Sequence, residues 1–311
     1  MIEKPANIST IMEFLLMGFP DDWMLQRLCA ALFFLIYLTA LMGNLLIVSL
    51  TTIDPHLQGP MYFFLKNLSL IDICYISVTV PKSIMNSLTN SHSIPFLGCA
   101  SQMFLFIFFA GAEYALLIVM AYDCSAAICH PLRYETIMNR SACVRMVTAS
   151  WFSGCVYGSI HVAGIFSVNI CGTNIVHQFF CDIPSLLALV CPEEQILEYA
   201  FIIASLFFVF LCFIFMIVSY VQIFSAVLKI PSSQARFKTI STCMPHITVL
   251  TLFLFSGIVT YLGRDFKSAS SLNLLMSVLY SMLPPSLNPL IYSLRNRDMK
   301  TALYKLLGGK V

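Results

Sequence analysis

Charged residues are scarce in this chain, and their scarcity excludes most soluble architectures. Only 10% of the 311 residues are Asp, Glu, Lys or Arg, whereas 59% are hydrophobic; soluble domains carry about 25% charged residues. A single soluble core of this size cannot bury that apolar surplus, so the solvent around much of the protein is predicted to be lipid. The net charge of +2 gives no reason to expect a nucleic-acid partner.

Other absences narrow the class of protein further. The sequence has no glycine-rich phosphate loop, no His/Glu metal-ligand spacing and no nucleophile elbow, so nothing in it indicates an enzyme. We also find no internal repeat, low-complexity tract or second domain. A cleavable signal peptide is not expected, because the apolar patch at residues 14–19 is too short and precedes Asp21 and Asp22. We therefore expect the first membrane helix to serve as the insertion signal.

Long apolar stretches take the place of those missing features. A helix needs roughly 20 apolar residues to cross a bilayer, and seven stretches qualify: residues 28–50, 61–85, 100–122, 144–166, 196–227, 239–262 and 271–294. Prolines occur within or at the ends of several spans, where membrane helices tolerate them. The predicted fold is an all-α membrane protein, a seven-transmembrane helix bundle over residues 28–294.

Basic residues in the short loops predict the orientation of the bundle. Arg and Lys accumulate on the cytoplasmic side of membrane proteins, and one set of loops with the C-terminal tail holds most of them: Arg133, Arg140, Arg145, Lys229, Arg236, Lys238, Arg295, Arg297, Lys300, Lys305 and Lys310. Residues 1–27 are then extracellular, and Asn7 in Asn7-Ile8-Ser9 is a predicted glycosylation site. Most of the acids, Glu198 included, fall on the extracellular side.

The last residues form a separate element. Met299, Leu303, Leu306 and Leu307 recur at helical spacing between basic residues. This pattern predicts a short amphipathic C-terminal helix lying on the inner leaflet, within a cytoplasmic segment at residues 295–311.

A series of motifs in fixed order runs over nearly the whole chain, from Gly43-Asn44 through Pro60-Met61-Tyr62-Phe63-Phe64-Leu65, Met120-Ala121-Tyr122-Asp123, Ser219-Tyr220 and Ser241-Thr242-Cys243 to Pro285-Ser286-Leu287-Asn288-Pro289-Leu290-Ile291-Tyr292. This series resembles the vertebrate odorant (olfactory) receptors, a family of rhodopsin-like G-protein-coupled receptors. The resemblance implies a multi-pass plasma-membrane receptor that binds a small, mostly apolar, volatile ligand. It also implies activation of a stimulatory, olfactory-type heterotrimeric G protein that raises cAMP.

One departure from the family pattern concerns coupling. Family members usually read Asp-Arg-Tyr at the end of the third span, and this chain reads Asp123-Cys124-Ser125. An arginine is a permanent cation with five hydrogen-bond donors, and cysteine replaces neither property. We expect Asp123 to lose its partner and coupling to be weakened. The coupling and switch residues implied by the resemblance are Asp123, Cys124, Ser125, Tyr220, Pro289 and Tyr292.

Four cysteines lie on the predicted outer side: Cys99 before the third span, and Cys171, Cys181 and Cys191 in the longest loop. Four cysteines allow three pairings, and the residues alone do not choose among them. The resemblance implies Cys99–Cys181 and Cys171–Cys191. The first bridge pins the loop over the bundle.

Ionisable residues within the spans point to a polar network. A carboxylate at membrane depth is costly and usually faces the bundle interior. Asn44, Asp72 and Asn288 lie at comparable depth in three spans, and the family architecture brings them together with Glu113. No cofactor is expected, but two acids and two amides suit either a structural Na⁺ at Asp72 and Glu113 or a protonated hydrogen-bond network, and both remain open.

The third span also predicts the ligand pocket. Cys99, Met103, Phe106, Ala110 and Glu113 share one helical face. Including counterparts on later spans, the predicted ligand-binding residues are Met103, Phe106, Ile107, Ala110, Ser205, Phe208, Gly257, Ile258, Tyr261 and Val278. No acid at the level of Met103 is available to pair with an amine, so aminergic ligands are disfavoured.

A membrane transporter coupled to an ion at Asp72 and Glu113 is the alternative from another class, together with a receptor-like protein that does not signal. Transporters commonly show internal repeats, which this chain lacks. The predicted partners are an odorant, a G protein and membrane lipid.

Overall fold

A computed structural model describes residues 12–17, 22–89, 91–171, 173–228, 232, 244, 247–252, 254–255, 257, 271–295 and 297–306. Long helices dominate this part of the chain. The helices are α1 Trp23–Ile53, α2 Pro60–Thr89, α3 Phe96–Cys129, α4 Tyr134–Ile137, α5 Arg140–Phe166, α6 Ile183–Leu187, α7 Gln195–Leu228, α8 Ser271–Arg295 and α9 Arg297–Leu306, and the strands are β1 Glu13–Leu16, β2 Ser93–Pro95 and β3 Ile175–Val176.

Six of the predicted spans coincide with α1, α2, α3, α5, α7 and α8, whereas most of the predicted span at residues 239–262 lies outside the described residues. Within the described part, five helical segments are long and apolar enough to cross a membrane: Trp23–Ile53, Pro60–Thr89, Phe96–Cys129, Gln195–Leu228 and Leu274–Tyr292. The 27 residues of α5 are long enough but not among these five, since serines, glycines and two arginines dilute its apolar residues.

Apolar side chains on the outside of the bundle agree with a lipid surrounding. Phe207 of α7 is 62% exposed and Phe210 is 55% exposed. A surface of this kind on a 34-residue helix would be unfavourable in water, where burying apolar area contributes about 25 cal/mol per Å².

Local sequence explains where two of the helices begin. Asp22 caps α1, accepting hydrogen bonds from the backbone N–H groups of Met24 at 2.8 Å and Leu25 at 3.1 Å; the helix therefore starts before the predicted span at residue 28. Asn139 caps α5 in the same way, through the N–H of Ala142 at 2.9 Å. Such caps satisfy donors that have no partner within the helix.

The centre of the bundle is α3, which packs against α2, α5 and α7. Its approach to α5 depends on facing glycines. A methyl group at Gly154 would collide with the carbonyl oxygen of Phe108, and one at Gly111 would lie 3.2 Å from the Gly154 Cα. Small residues allow membrane helices to pack closely where no hydrophobic effect drives them together.

A three-stranded sheet of order β2-β1-β3 closes one end of the bundle. It is joined there by α6 and the loop around it, and we call this the sheet end. The all-α prediction contained no strand, because β1 has only four residues and β3 only two. Strands this short leave no periodic pattern in the sequence.

The opposite end of the bundle carries α4 and α9. Residues Arg297–Leu306 are helical, with Met299 and Ala302 buried and Tyr304 exposed. The Tyr62 hydroxyl of α2 donates to Asp298 Oδ2 at 3.0 Å and ties α9 to the bundle. The position of α9 on a leaflet stays a prediction.

Candidate functional site

The buried face of α3 contains three of the predicted ligand-binding residues. Met103 is 0% exposed, Phe106 1% and Ile107 5%. Phe106 lies in an aromatic cluster: its ring centroid is 4.8 Å from that of Tyr75, 4.8 Å from that of Phe180 and 5.1 Å from that of Tyr280. The α3 face is therefore lined by apolar and aromatic groups from α2, α8 and the loop at the sheet end.

The remaining predicted pocket residues are only partly gathered around this face. Ala110 and Val278 are half-buried against the core that includes Phe106. Ser205 lies within hydrogen-bonding reach of Tyr157 of α5, and Phe208 is 63% exposed and does not join the α3 face. No atom of the other described residues, its own helix backbone aside, lies within 4 Å of where a Cβ on Gly257 would be. The other two, Ile258 and Tyr261, lie outside the described residues.

Two disulfides fix the loop at the sheet end. Cys99 is joined to Cys181, with Cα atoms 5.5 Å apart, and Cys171 to Cys191, with Cα atoms 4.8 Å apart. These are the pairings that the resemblance implies. The first bridge joins the start of α3 to a loop residue 82 positions later, directly above the buried α3 face.

Further hydrogen bonds order the same loop. Gln102 of α3 accepts from the backbone N–H of Cys181 at 3.0 Å. Glu194 accepts from the backbone N–H of Asn169 at 2.6 Å and from its side chain at 2.9 Å, and these bonds lower the pKa of Glu194 from its ordinary value. The loop is thus held by covalent and polar contacts rather than by packing alone.

A single amide connects the two membrane acids. Asn288 Nδ2 of α8 donates to Asp72 Oδ1 at 3.1 Å, to Asp72 Oδ2 at 3.0 Å and to Glu113 Oε1 at 3.1 Å. Both acids are fully buried. Three of the four predicted network residues therefore meet, from α2, α3 and α8.

The fourth network residue has a different partner. Asn44 Nδ2 donates to the carbonyl oxygens of Ala40 at 3.0 Å and Pro285 at 2.9 Å, so it joins α1 to α8 without bonding to either acid through that nitrogen. The adjacent Gly43 leaves no room for a side chain, because a Cβ there would lie 2.9 Å from the Cβ of Pro289. The Gly43-Asn44 pair therefore sets the contact between α1 and α8.

The carboxylate and amide oxygens of this network are suitable ligands for a monovalent cation, and the two carboxylates are also suited to share a proton. Glu113 Oε2 and Asn44 Oδ1 are buried acceptors that find no hydrogen-bond partner among the residues that the structure describes. Buried acceptors of this kind are normally satisfied. Within the described residues no group of three or more His, Cys, Asp or Glu side chains suitable for a metal ion occurs, so any cation here would be held by two carboxylates and amide oxygens.

Asp123 has a partner that sequence reasoning missed. Tyr134 of α4 donates from its hydroxyl to Asp123 Oδ1 at 2.8 Å, and Asp123 is 4% exposed. The expectation that Asp123 loses its partner is therefore wrong. A tyrosine hydroxyl is protonated at neutral pH, and burial and the negative charge of Asp123 raise the pKa of Tyr134 further.

The other coupling residues line the same end of the core. Cys124 and Ser125 are half-buried, and Tyr220 of α7 and Tyr292 of α8 are 9% and 7% exposed. The Tyr292 hydroxyl is buried without a hydrogen-bond partner in the described part of the chain. Pro289 is the α8 residue against Gly43.

Another buried acid, Glu198, lies between α5 and α7. His161 Nδ1 is 2.5 Å from Glu198 Oε1, and the two side chains are 1% and 2% exposed. Glu198 is predicted to lie on the extracellular side, and the structure places it, buried, in the first turn of α7. A lone histidine and a lone acid within two apolar segments are the only sequence signals for this pair.

A polytopic helical bundle with a disulfide-tied loop, a buried acid pair and an apolar face between them defines a membrane receptor of the helical-bundle class. Comparison with known proteins places it more narrowly. The family model described as "Olfactory receptor" matches residues 33–310. The chain belongs to the olfactory receptor family, whose members are signalling receptors and not enzymes.

Individual relatives cover almost the full length of the chain. Human olfactory receptor 14A16 is 52% identical over 306 residues, which cover 98% of this chain and 99% of the relative. Human olfactory receptor 14L1 is 50% identical over 302 residues, 97% and 93% of the two chains. Mouse olfactory receptor 1E16 is 42% identical over 301 residues, 96% of each. Membership of this family also makes the chain a multi-pass plasma-membrane protein.

Proposed function

We propose that this receptor binds a small, mostly apolar, volatile molecule inside the bundle and activates a stimulatory, olfactory-type G protein that raises cAMP. The observation that carries the proposal is the buried face of α3. Met103, Phe106 and Ile107 lie on it between the disulfide at Cys99 and the acid at Glu113. Apolar walls with few polar groups suit a compact, poorly soluble ligand.

Ligand chemistry follows from what surrounds Phe106. Its neighbours are the rings of Tyr75, Phe180 and Tyr280. The Tyr75 hydroxyl is directed at the carbonyl oxygen of Tyr280, at 3.4 Å. A ligand beside Phe106 would therefore contact aromatic ring faces and no charged group of these residues. We infer that dispersion and aromatic contacts supply most of the affinity, and that cationic amines are not preferred.

Activation requires a ligand that binds one conformational state more tightly than the other. The Asp72–Asn288–Glu113 contact links three helices below the proposed cavity, so it is the element that we propose a ligand biases. Two acids this close do not both stay ionised without compensation, because like charges disfavour one another. Either one carboxyl carries a proton or Na⁺ is held by the carboxylates of Asp72 and Glu113 with Asn44 Oδ1.

In our proposal the sheet end is extracellular and the α4 end is cytoplasmic, as the distribution of Arg and Lys predicts. Asn7 is then available for glycosylation, and α9 lies along the inner leaflet. The G protein engages the α4 end, where Cys124 stands in place of the usual arginine. A hydrogen bond to a charged group contributes about 1.5–3 kcal/mol, so its loss at this interface weakens coupling by roughly ten- to a hundredfold.

Position 124 also supports a second candidate function, a receptor that binds ligand but does not signal. A transporter is less well supported, because the relatives reported above are all olfactory receptors.

A volatile panel with a cAMP readout tests the proposal. The native chain and a Cys124→Arg, Ser125→Tyr variant are compared at matched surface expression, with Cys212→Ser as a control substitution away from the coupling end. We expect ligand-dependent cAMP in the variant and a weaker response in the native chain. Ion or solute flux without cAMP in either receptor would instead favour the transporter, and ligand binding without cAMP in both would favour the silent receptor.

A further inference from the structure

The N-terminal strand β1 is held on both of its edges. It pairs antiparallel with β2 and parallel with β3. The N–H of Leu16 donates to the carbonyl oxygen of His92 at 2.8 Å on one edge, and the N–H of Met17 donates to that of Val176 at 2.8 Å on the other. A strand bonded on both sides has a fixed register, so each of its side chains has a defined direction.

Alternation along β1 sends two apolar side chains into the bundle. Phe14 is 0% exposed and Leu16 is 1% exposed, whereas Glu13 is exposed and Leu15 is half-buried. Successive side chains of a strand point to opposite faces. One face of β1 is therefore part of the protein interior, and the other is directed away from it.

The inward side chains of β1 reach the proposed ligand contacts. Phe14 and Leu16 belong to the same buried cluster as Met103 and Ile107 of α3. The Phe14 ring also stacks on Phe96 at the start of α3, with centroids 6.1 Å apart and an interplanar angle of 22°. The N-terminal segment is thus packed onto the part of α3 that lies next to the Cys99–Cys181 bridge.

We propose that β1 forms the wall of the ligand cavity at the sheet end, and that Phe14 limits the size of ligand that fits beside Met103. This inference rests on the proposed function, since it assumes that ligand occupies the α3 face. Phe14 and Met103 are both fully buried, so a ligand entering between them must occupy space that the Phe14 ring restricts. Protein interiors are close-packed and do not absorb extra volume freely.

Thiol labelling tests the wall without any agonist. Met103→Cys is labelled on intact cells with a membrane-impermeant methanethiosulfonate reagent, alone and combined with Phe14→Ala or with Glu13→Ala. The double variant with Phe14→Ala should be labelled roughly tenfold faster. Losing the packing of Phe14 lowers the free energy of opening at β1, and the population of open conformations rises exponentially as that free energy falls. The Glu13→Ala combination, changed at the outward-facing neighbour, should label at the slow rate. Equal labelling rates for the two double variants would refute the proposal that β1 covers the α3 face.

A chain-length series tests the size limit. Straight-chain aliphatic alcohols and aldehydes of increasing length are assayed on receptors with the Cys124→Arg, Ser125→Tyr repair. Phe14→Ala should move the most potent member to a longer chain, and Glu13→Ala should leave the order unchanged. Phe14→Leu, which keeps an apolar side chain of smaller volume, should give a smaller move in the same direction and covers the case in which Phe14→Ala does not reach the surface.

The two assays separate the inference from the proposed function. If the repaired receptor responds and the chain-length order is the same for Phe14→Ala, Phe14→Leu and Glu13→Ala, the size limit is refuted while the proposed function stands. If no member of the series or of the wider volatile panel evokes cAMP, the proposed function fails. Labelling at Met103→Cys still decides whether β1 covers the α3 face.

Discussion

The hydrogen bond between Tyr134 and Asp123 yields the prediction that is most specific to this chain. Tyr134→Phe removes only the hydroxyl that donates to Asp123 Oδ1 at 2.8 Å. Because this bond joins α4 to α3, and Asp123 is 4% exposed, its loss leaves a buried carboxylate without that donor. We expect the resting arrangement of the α4 end to be destabilised and basal signalling to rise.

The magnitude follows from the type of bond. Hydrogen bonds to charged groups contribute about 1.5–3 kcal/mol. Tyr134 is itself half-buried, so the lower figure applies, and about 1.4 kcal/mol corresponds to a tenfold change in an equilibrium constant. Basal cAMP at matched surface expression should therefore rise by roughly tenfold in Tyr134→Phe, measured against Tyr304→Phe, an exposed tyrosine of α9.

A double-mutant cycle makes the same prediction sharper. In a Cys124→Arg background, the new guanidinium gives Asp123 a second partner, so Tyr134→Phe should have a smaller effect there than in the native chain. Non-additivity of this kind is expected only for groups that share an interaction. An identical effect of Tyr134→Phe in both backgrounds, or no effect in the native one, would refute the view that Tyr134 replaces the missing arginine as the partner of Asp123.

Further substitutions test the topology, the bridge, the cavity and the α5–α7 contact. Asn7→Gln should remove a glycosidase-sensitive mobility shift; a native chain without such a shift contradicts the orientation. Cys181→Ser opens a bridge spanning 82 residues, worth about 4–5 kcal/mol in the chain-entropy model, and should abolish surface delivery, whereas Cys212→Ser should be mild. Phe106→Ala should weaken an agonist's potency by about tenfold or more when the receptors are compared at matched surface levels. Glu198→Ala leaves the buried His161 without its hydrogen-bond partner Glu198, a cost of about 1–3 kcal/mol, and should lower surface expression more than Glu198→Gln does.

The helical part of the fold was predictable because it rests on periodic and compositional patterns. Runs of about 20 apolar residues define spans, and six of the seven predicted spans coincide with described helices. The contact of Asp72, Glu113 and Asn288 was predictable for a related reason. A polar residue at membrane depth must face the bundle interior, and the family architecture indicated which of these residues meet.

The strand β1 could not be predicted in the same way. Its four residues, Glu13–Leu16, carry no hydrophobic period of their own, and its pairing partners lie about 80 and 160 positions later at Ser93–Pro95 and Ile175–Val176. Short strands are stabilised by the cross-strand partners they meet, which makes their formation a property of the assembled bundle. The Tyr134–Asp123 bond could not be predicted for a similar reason. It forms because α4 places the Tyr134 hydroxyl beside Asp123 in the assembled bundle, and the sequence next to Asp123 does not indicate this.

Glu198 shows most clearly what a linear sequence leaves undetermined. A carboxylate near the end of an apolar run is well solvated in a loop, whereas burying it inside a bundle costs solvation free energy. Hydropathy alone therefore favours the loop. The outcome depends on whether a hydrogen-bonding partner on another helix offsets the cost of desolvation, and His161 of α5 provides one at 2.5 Å. After Glu198, the next buried residue of α7 is Met216. The sheet end of α7 therefore contacts α5 through a buried polar pair that neither segment's sequence predicts, and hydropathy gives no reason to expect such a pair there.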